Sequence, residues 1–137
     1  MRTQLKMSVP CEVVVKCVLP VVRAMVAKEL IENHDFRQAE AAKVLGVSQP
    51  AISLYSRNIR GRAINLENDR EVSALTAKMA ELLAKGNPLR SEVVPMYCKI
   101  CRTVRTKGLM CELHKSFEPV IETENCNLCK EITNQCP

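Results

Sequence analysis

The stretch from Gln38 to Arg57, QAEAAKVLGVSQPAISLYSR, constrains the fold more than any other part of the chain. Ala39, Ala42 and Leu45 recur at helical spacing. Gly46 then stands where that helix must stop, because a residue without Cβ reaches a positive φ at little cost. Val47 follows as an apolar plug for the turn. Ser48 offers a hydroxyl to cap a second helix, and Pro50 suits that helix's first turn, where its missing N–H would be unpaired anyway. Ile52 and Tyr55 fall three apart on one face, leaving Gln49, Ser53 and Arg57 on the other. The spacing predicts two short helices joined by a tight turn.

This arrangement resembles the helix-turn-helix of Cro- and phage-repressor-type (XRE-like) regulators, with Ala42 at the small position where the helices touch and Gly46 four residues later. The resemblance implies a lambda-repressor-like fold. Its second helix would enter the major groove, N-terminal residues first, while the first crosses the phosphate backbone. Ser48, Gln49, Pro50 and Ser53 would then face base edges. Gln49 is able to make a bidentate contact to adenine, whereas Pro50 can only press on a thymine methyl. Gln38 opens the first helix on the DNA side, and Arg57, Arg60 and Arg62 cluster just past the second, where guanidinium groups suit phosphates. The plainer reading of the same residues is a helical hairpin with Gly46 as its C-cap.

Between Gln38 and Arg62 the only acid is Glu40, so the net charge of +5 is concentrated where DNA would lie. Aromatics make up 3% and Trp is absent, which argues against single-strand or RNA platforms built on exposed rings. At the N-terminus, Val9 to Ala27 is largely apolar after Arg2 and Lys6, but Glu12, Lys16, Pro20 and Arg23 interrupt it. It is too broken to span a bilayer and has no small-residue cleavage site, so a cytoplasmic protein is expected. Val14, Val18, Val21, Val22, Met25, Val26 and Leu30 instead mark a buried helical face, which Pro20 either kinks or restarts. Cys11 and Cys17 read as core thiols, and His34 as a residue near a helix C-terminus.

Asn68 or Asp69 can cap a further helix running to about Lys85, with Val72, Leu75, Met79, Leu82 and Leu83 on one side and Gly86 as its stop. Residues 8–86 thus read as a bundle of four or five helices carrying the helix-turn-helix. Its last apolar stripe could supply a homodimer contact. Two-fold symmetry would double a recognition surface poor in base-reading side chains.

Asn87 to Pro95 holds two prolines and no helical period, so residues 87–97 read as a linker. Beyond it, residues 98–137 form a cysteine-rich module: Cys98-x2-Cys101, Cys111-x2-His114, Cys126-x2-Cys129, then Cys136. Pairs separated by two residues let one tight knuckle aim two ligands at an ion, and two pairs make a tetrahedral site. Zinc is favoured and an iron–sulfur cluster is the alternative, since both take four mostly thiolate ligands. Structural disulfides and a thioredoxin-like dithiol fit less well, for want of secretion signals and of a βαβ setting. Arg102 to Gly108 reads as a basic β-turn or hairpin tip that stays solvated.

The whole order, VPCEVVVKCVLPVVRAMVAKEL, then the helix pair, then CxxC, CxxH and CxxC, resembles archaeal transcriptional regulators of the XRE-like class with a C-terminal cysteine cluster. It implies a non-enzymatic regulator that binds double-stranded DNA and uses its cysteines for structure or for metal or redox sensing. The alternative is a zinc-ribbon module that docks on transcription machinery without reading DNA.

Overall fold

The computed structural model describes residues 9–59, 61–117 and Cys129, and every regular element among them is helical. The first is α1 (Pro10–Val13), which runs through a π-helical turn (Val14–Val18) into α2 (Leu19–Asn33). In the widened turn the Leu19 N–H reaches back to the carbonyl of Val14. It stands just before Pro20, whose ring and missing N–H exclude the ordinary bond to the carbonyl four residues earlier. The outcome is a restarted helix, one of the two fates expected for Pro20.

Val18, Val21, Val22, Ala24, Val26, Ala27 and Leu30 are buried, covering most of the circumference of α2, while Met25 is half-buried. A helix apolar on nearly all sides belongs at the centre, and α2 packs against α3 (Gln38–Leu45), α4 (Gln49–Ser56) and α5 (Arg70–Ala84). Outside this centre, α6 (Arg90–Thr106) packs on α5 and α7 (Cys111–Phe117) on α1.

The α3–α4 turn closes as its residues dictate. Gly46 sits at φ 67°; its N–H bonds the Lys43 carbonyl at 3.4 Å and the Val47 N–H bonds the Ala42 carbonyl at 3.0 Å. This paired closure satisfies carbonyls that the helix end leaves open. The inward face of α3 is made by Ala41 and Ala42 with help from Val44 and Leu45. Ala39, expected on that face, is exposed because it lies roughly 160° around the helix from Ala41. Ile52 and Tyr55 are buried as expected.

Gly61 has a different reason to be glycine. A Cβ there would stand 2.7 Å from the Ala24 Cβ and 2.8 Å from the Pro20 carbonyl oxygen, so the chain leaving α4 crosses α2 in direct contact. Asp69 then caps α5, accepting from the Val72 N–H at 2.9 Å. Val72, Leu75, Met79 and Leu83 are buried.

The expected linker at 87–97 is corrected: most of it is the first half of α6, which continues across the expected boundary before Cys98. Pro88 precedes the helix, where proline is tolerated. Pro95 lies inside it and deprives the Ser91 carbonyl of a donor, but both residues are exposed and water can take that bond. At the helix start the Glu92 carboxylate accepts from the Leu89 N–H at 3.2 Å. Ile100 and Val104, both buried, fasten the helix to the rest. Packing of those two side chains outweighs the local proline signal.

Candidate functional site

One candidate surface is the outer face of α4. Ser48 caps the helix, its Oγ accepting from the Ala51 N–H at 3.2 Å, and its own O–H remains able to donate. Ile52, fully buried, and Tyr55 pin the opposite side to the core. Gln49 and Pro50 in the first turn are exposed, Ser53 is half-buried, and Arg57 is exposed at the C-terminal cap. Gln49, Ser53 and Arg57 follow one another at four-residue intervals and so share a face. Gln38, first residue of α3, is exposed beside the exposed Arg37, whose N–H bonds Glu40 Oε1 at 3.2 Å. Arg62 is exposed; Arg60 lies outside the described residues.

The far end of α4 is fastened. Asn58 holds a left-handed conformation at φ 55°, and its Oδ1 accepts from Lys28 Nζ at 2.7 Å; the same ammonium pairs with Glu67 at 3.5 Å. The α4 face is therefore a fixed ridge that presents an amide, hydroxyls and guanidinium groups to whatever lies across it.

The cysteines are arranged differently from expectation. Cys98 and Cys101 lie one turn apart on α6, and Cys111 and His114 one turn apart on α7, so neither pair is a knuckle. The basic tip expected at Arg102–Gly108 is the end of α6. Cys98 is exposed, Cys101 and Cys111 are half-buried and His114 is buried. Cys129 is half-buried, and Cys126 lies outside the described residues. Among the described residues, no three His, Cys, Asp or Glu side chains are gathered to hold an ion.

What the thiols do gather around is Arg105. Its side chain is buried to 3% exposure. Its guanidinium meets the sulfurs of Cys101 and Cys129 and lies in the field of Cys11, yet Nε and Nη2 have no hydrogen-bond partner. Burial pushes the Cys101 thiol up; Arg105 opposes this, and Cys11 and Cys98 add to it. Cys11, expected in the core, is exposed on α1 at this cluster, while Cys17 is buried as expected. Arg105 was hidden in the sequence because it stands in the basic run RTVRTKG, and only a helix puts it one turn past Cys101. The neighbouring Lys107 is not free either, pairing with Asp69 at 2.9 Å and Glu71 at 3.1 Å.

His34 forms the C-terminal cap of α2, its N–H bonded to the Leu30 carbonyl at 3.2 Å. No helix among the described residues is long and apolar enough to cross a membrane. Compared with family models, curated proteins and solved structures, the chain finds no match.

Proposed function

We propose that the chain is a cytoplasmic, sequence-specific transcription regulator that lays α4 into the major groove of double-stranded DNA. The observation that carries this reading is the division of α4 into two faces: Ile52 and Tyr55 sealed in the core, Gln49, Pro50 and Arg57 exposed on a helix capped at Ser48. Gln49 in the first turn is the side chain suited to read adenine, with Ser48, Pro50 and the half-buried Ser53 as lesser contacts. Arg57 and Arg62, with Gln38 at the start of α3, hold phosphates and set the register. Because one such helix reads few bases, specificity comes from a homodimer placing two copies on half-sites one helical turn apart, and from DNA shape.

The cysteines belong to a metal site of structural or sensory purpose, zinc in preference to an iron–sulfur cluster. A buried guanidinium left with two unpaired groups among thiols supports a site built for negative charge, such as thiolate sulfurs on a cation. A bound ion would supply a rigid crosslink and a response to metal supply or oxidation. Arg105 would orient the sulfurs through N–H···S bonds, and its burial keeps water from that side.

Duplex DNA titrated with the purified protein at rising salt tests the reading. Affinity should fall steeply, with log affinity linear in log salt. Absence of binding at low salt would remove it in favour of a protein-docking role.

A further inference from the structure

We infer that Cys11 belongs to the metal site, completing with Cys98, Cys101 and Cys129 a four-thiolate set for a soft divalent cation of the zinc class, with Arg105 as its internal counter-charge. The inference rests on the metal-binding reading above and changes its ligands: Cys11 enters from the N-terminal helix, and Cys111 and His114 leave.

Three distant parts of the chain supply the sulfurs. Cys11 comes from α1, Cys98 and Cys101 from one face of α6, and Cys129 from the C-terminal segment. Cys101 feels both Cys11 and Cys98, and Arg105 feels Cys11, Cys101 and Cys129. The observation that points to a ligand is the guanidinium itself. It is 3% exposed, and its Nε and Nη2 groups have no acceptor. A buried cation without a counter-charge is costly, and a neutral thiol is a weak acceptor. Four thiolates on a divalent ion carry a net charge of −2, and metal-bound sulfur accepts N–H bonds well, so loading supplies both the missing charge and the missing acceptors.

Protons balance the step: the cation gains four sulfur ligands, and four S–H protons pass to solvent, so binding strengthens as pH rises. The sulfurs adjoin Arg105 without yet being drawn into one tetrahedron, and closure is by side-chain rotation. The loaded ion ties α1 to α6. Since α1 leads through the π-helical turn into α2, on which α3 and α4 pack, the tie braces the scaffold beneath the α4 face.

The test uses the full chain, purified without oxygen, stripped with a chelator and titrated with Zn²⁺ against a chromophoric competitor, with Co²⁺ as a spectroscopic probe. One ion per chain is expected. Cys11→Ser should weaken binding at least ~10-fold and reduce the thiolate-to-cobalt absorption by about a quarter. Arg105→Lys should weaken binding ~10-fold, while Cys17→Ala, a buried control, leaves it unchanged. Unchanged affinity and absorption in a helical Cys11→Ser protein overturn the inference, as does loss of the ion on Cys111→Ser or His114→Ala instead. Should Cys11→Ser not fold, alkylation of the wild-type chain decides: Cys11 must react when metal-free and be protected when loaded, and reaction in the loaded protein overturns the inference. A wild-type chain that takes up neither ion overturns the metal reading with it and leaves the DNA reading untouched.

Discussion

The α3–α4 pair and the cysteine region obey opposite logics. In the pair, each residue does what its neighbours in sequence ask: Ser48 caps, Gly46 turns, Ile52 and Tyr55 face inward. Around Arg105 nothing is local, because Cys11, Cys101 and Cys129 meet only through the packing of α1, α6 and the C-terminal segment. The pair is finished as it stands, whereas the thiol cluster leaves a buried cation unpaired. A region closed by its own packing is suited to present a fixed surface, and one with an open electrostatic need is suited to wait for a ligand.

The sharpest way to break this contrast is at Ile52. Its full burial makes Ile52→Ala the largest expected loss, about 2–5 kcal/mol by denaturant unfolding. Arg105→Leu should do the reverse in metal-free protein, being neutral or stabilising by up to about 4 kcal/mol, because it removes a buried charge that lacks partners. A strong destabilisation there would mean that the charge is already satisfied. The two glycines divide the backbone requirement. Gly61→Ala should cost about 1–3 kcal/mol, since its Cβ would meet Ala24 and the Pro20 carbonyl. Gly46→Ala should cost about 1–2 kcal/mol from its left-handed φ alone, as nothing stands within 4 Å of the added carbon.

The smallest effect concerns the tie between the two regions. The Val72 N–H and then Lys107 hold the Asp69 carboxyl below its usual range. The sign follows directly: this contribution is fully present above the ordinary aspartate pKa and is lost as pH falls through the depressed value. Acid unfolding of Asp69→Asn should therefore be less steep below pH 3.8 than that of the wild type. The Lys107 ammonium, raised by Asp69 and Glu71, keeps its share until pH rises past the usual lysine range.

The α2, α3, α4 and α5 helices were legible because their signals are local: caps, one positive-φ glycine and apolar residues at helical period. The same reasoning failed over 87–97, where two prolines masked a helix that Ile100 and Val104 anchor from outside the segment. Losing that helix concealed the rest. Without it the CxxC spacing reads as a knuckle, Arg105 as a solvated tip, and Cys11 has no reason to leave the core. Ala39 shows a finer failure, since an alanine at the right period is weak evidence for a face when Ala41 and Ala42 compete for it.

The most direct test is the salt dependence of duplex DNA binding by wild-type, Gln49→Ala and Arg57→Ala proteins on a selected operator and on unrelated DNA. If α4 reads DNA, Gln49→Ala costs about 1–3 kcal/mol on the operator alone. Arg57→Ala weakens binding to both DNAs and lowers the salt slope by about 1. Unchanged binding in both variants would contradict the placement of α4 in the groove.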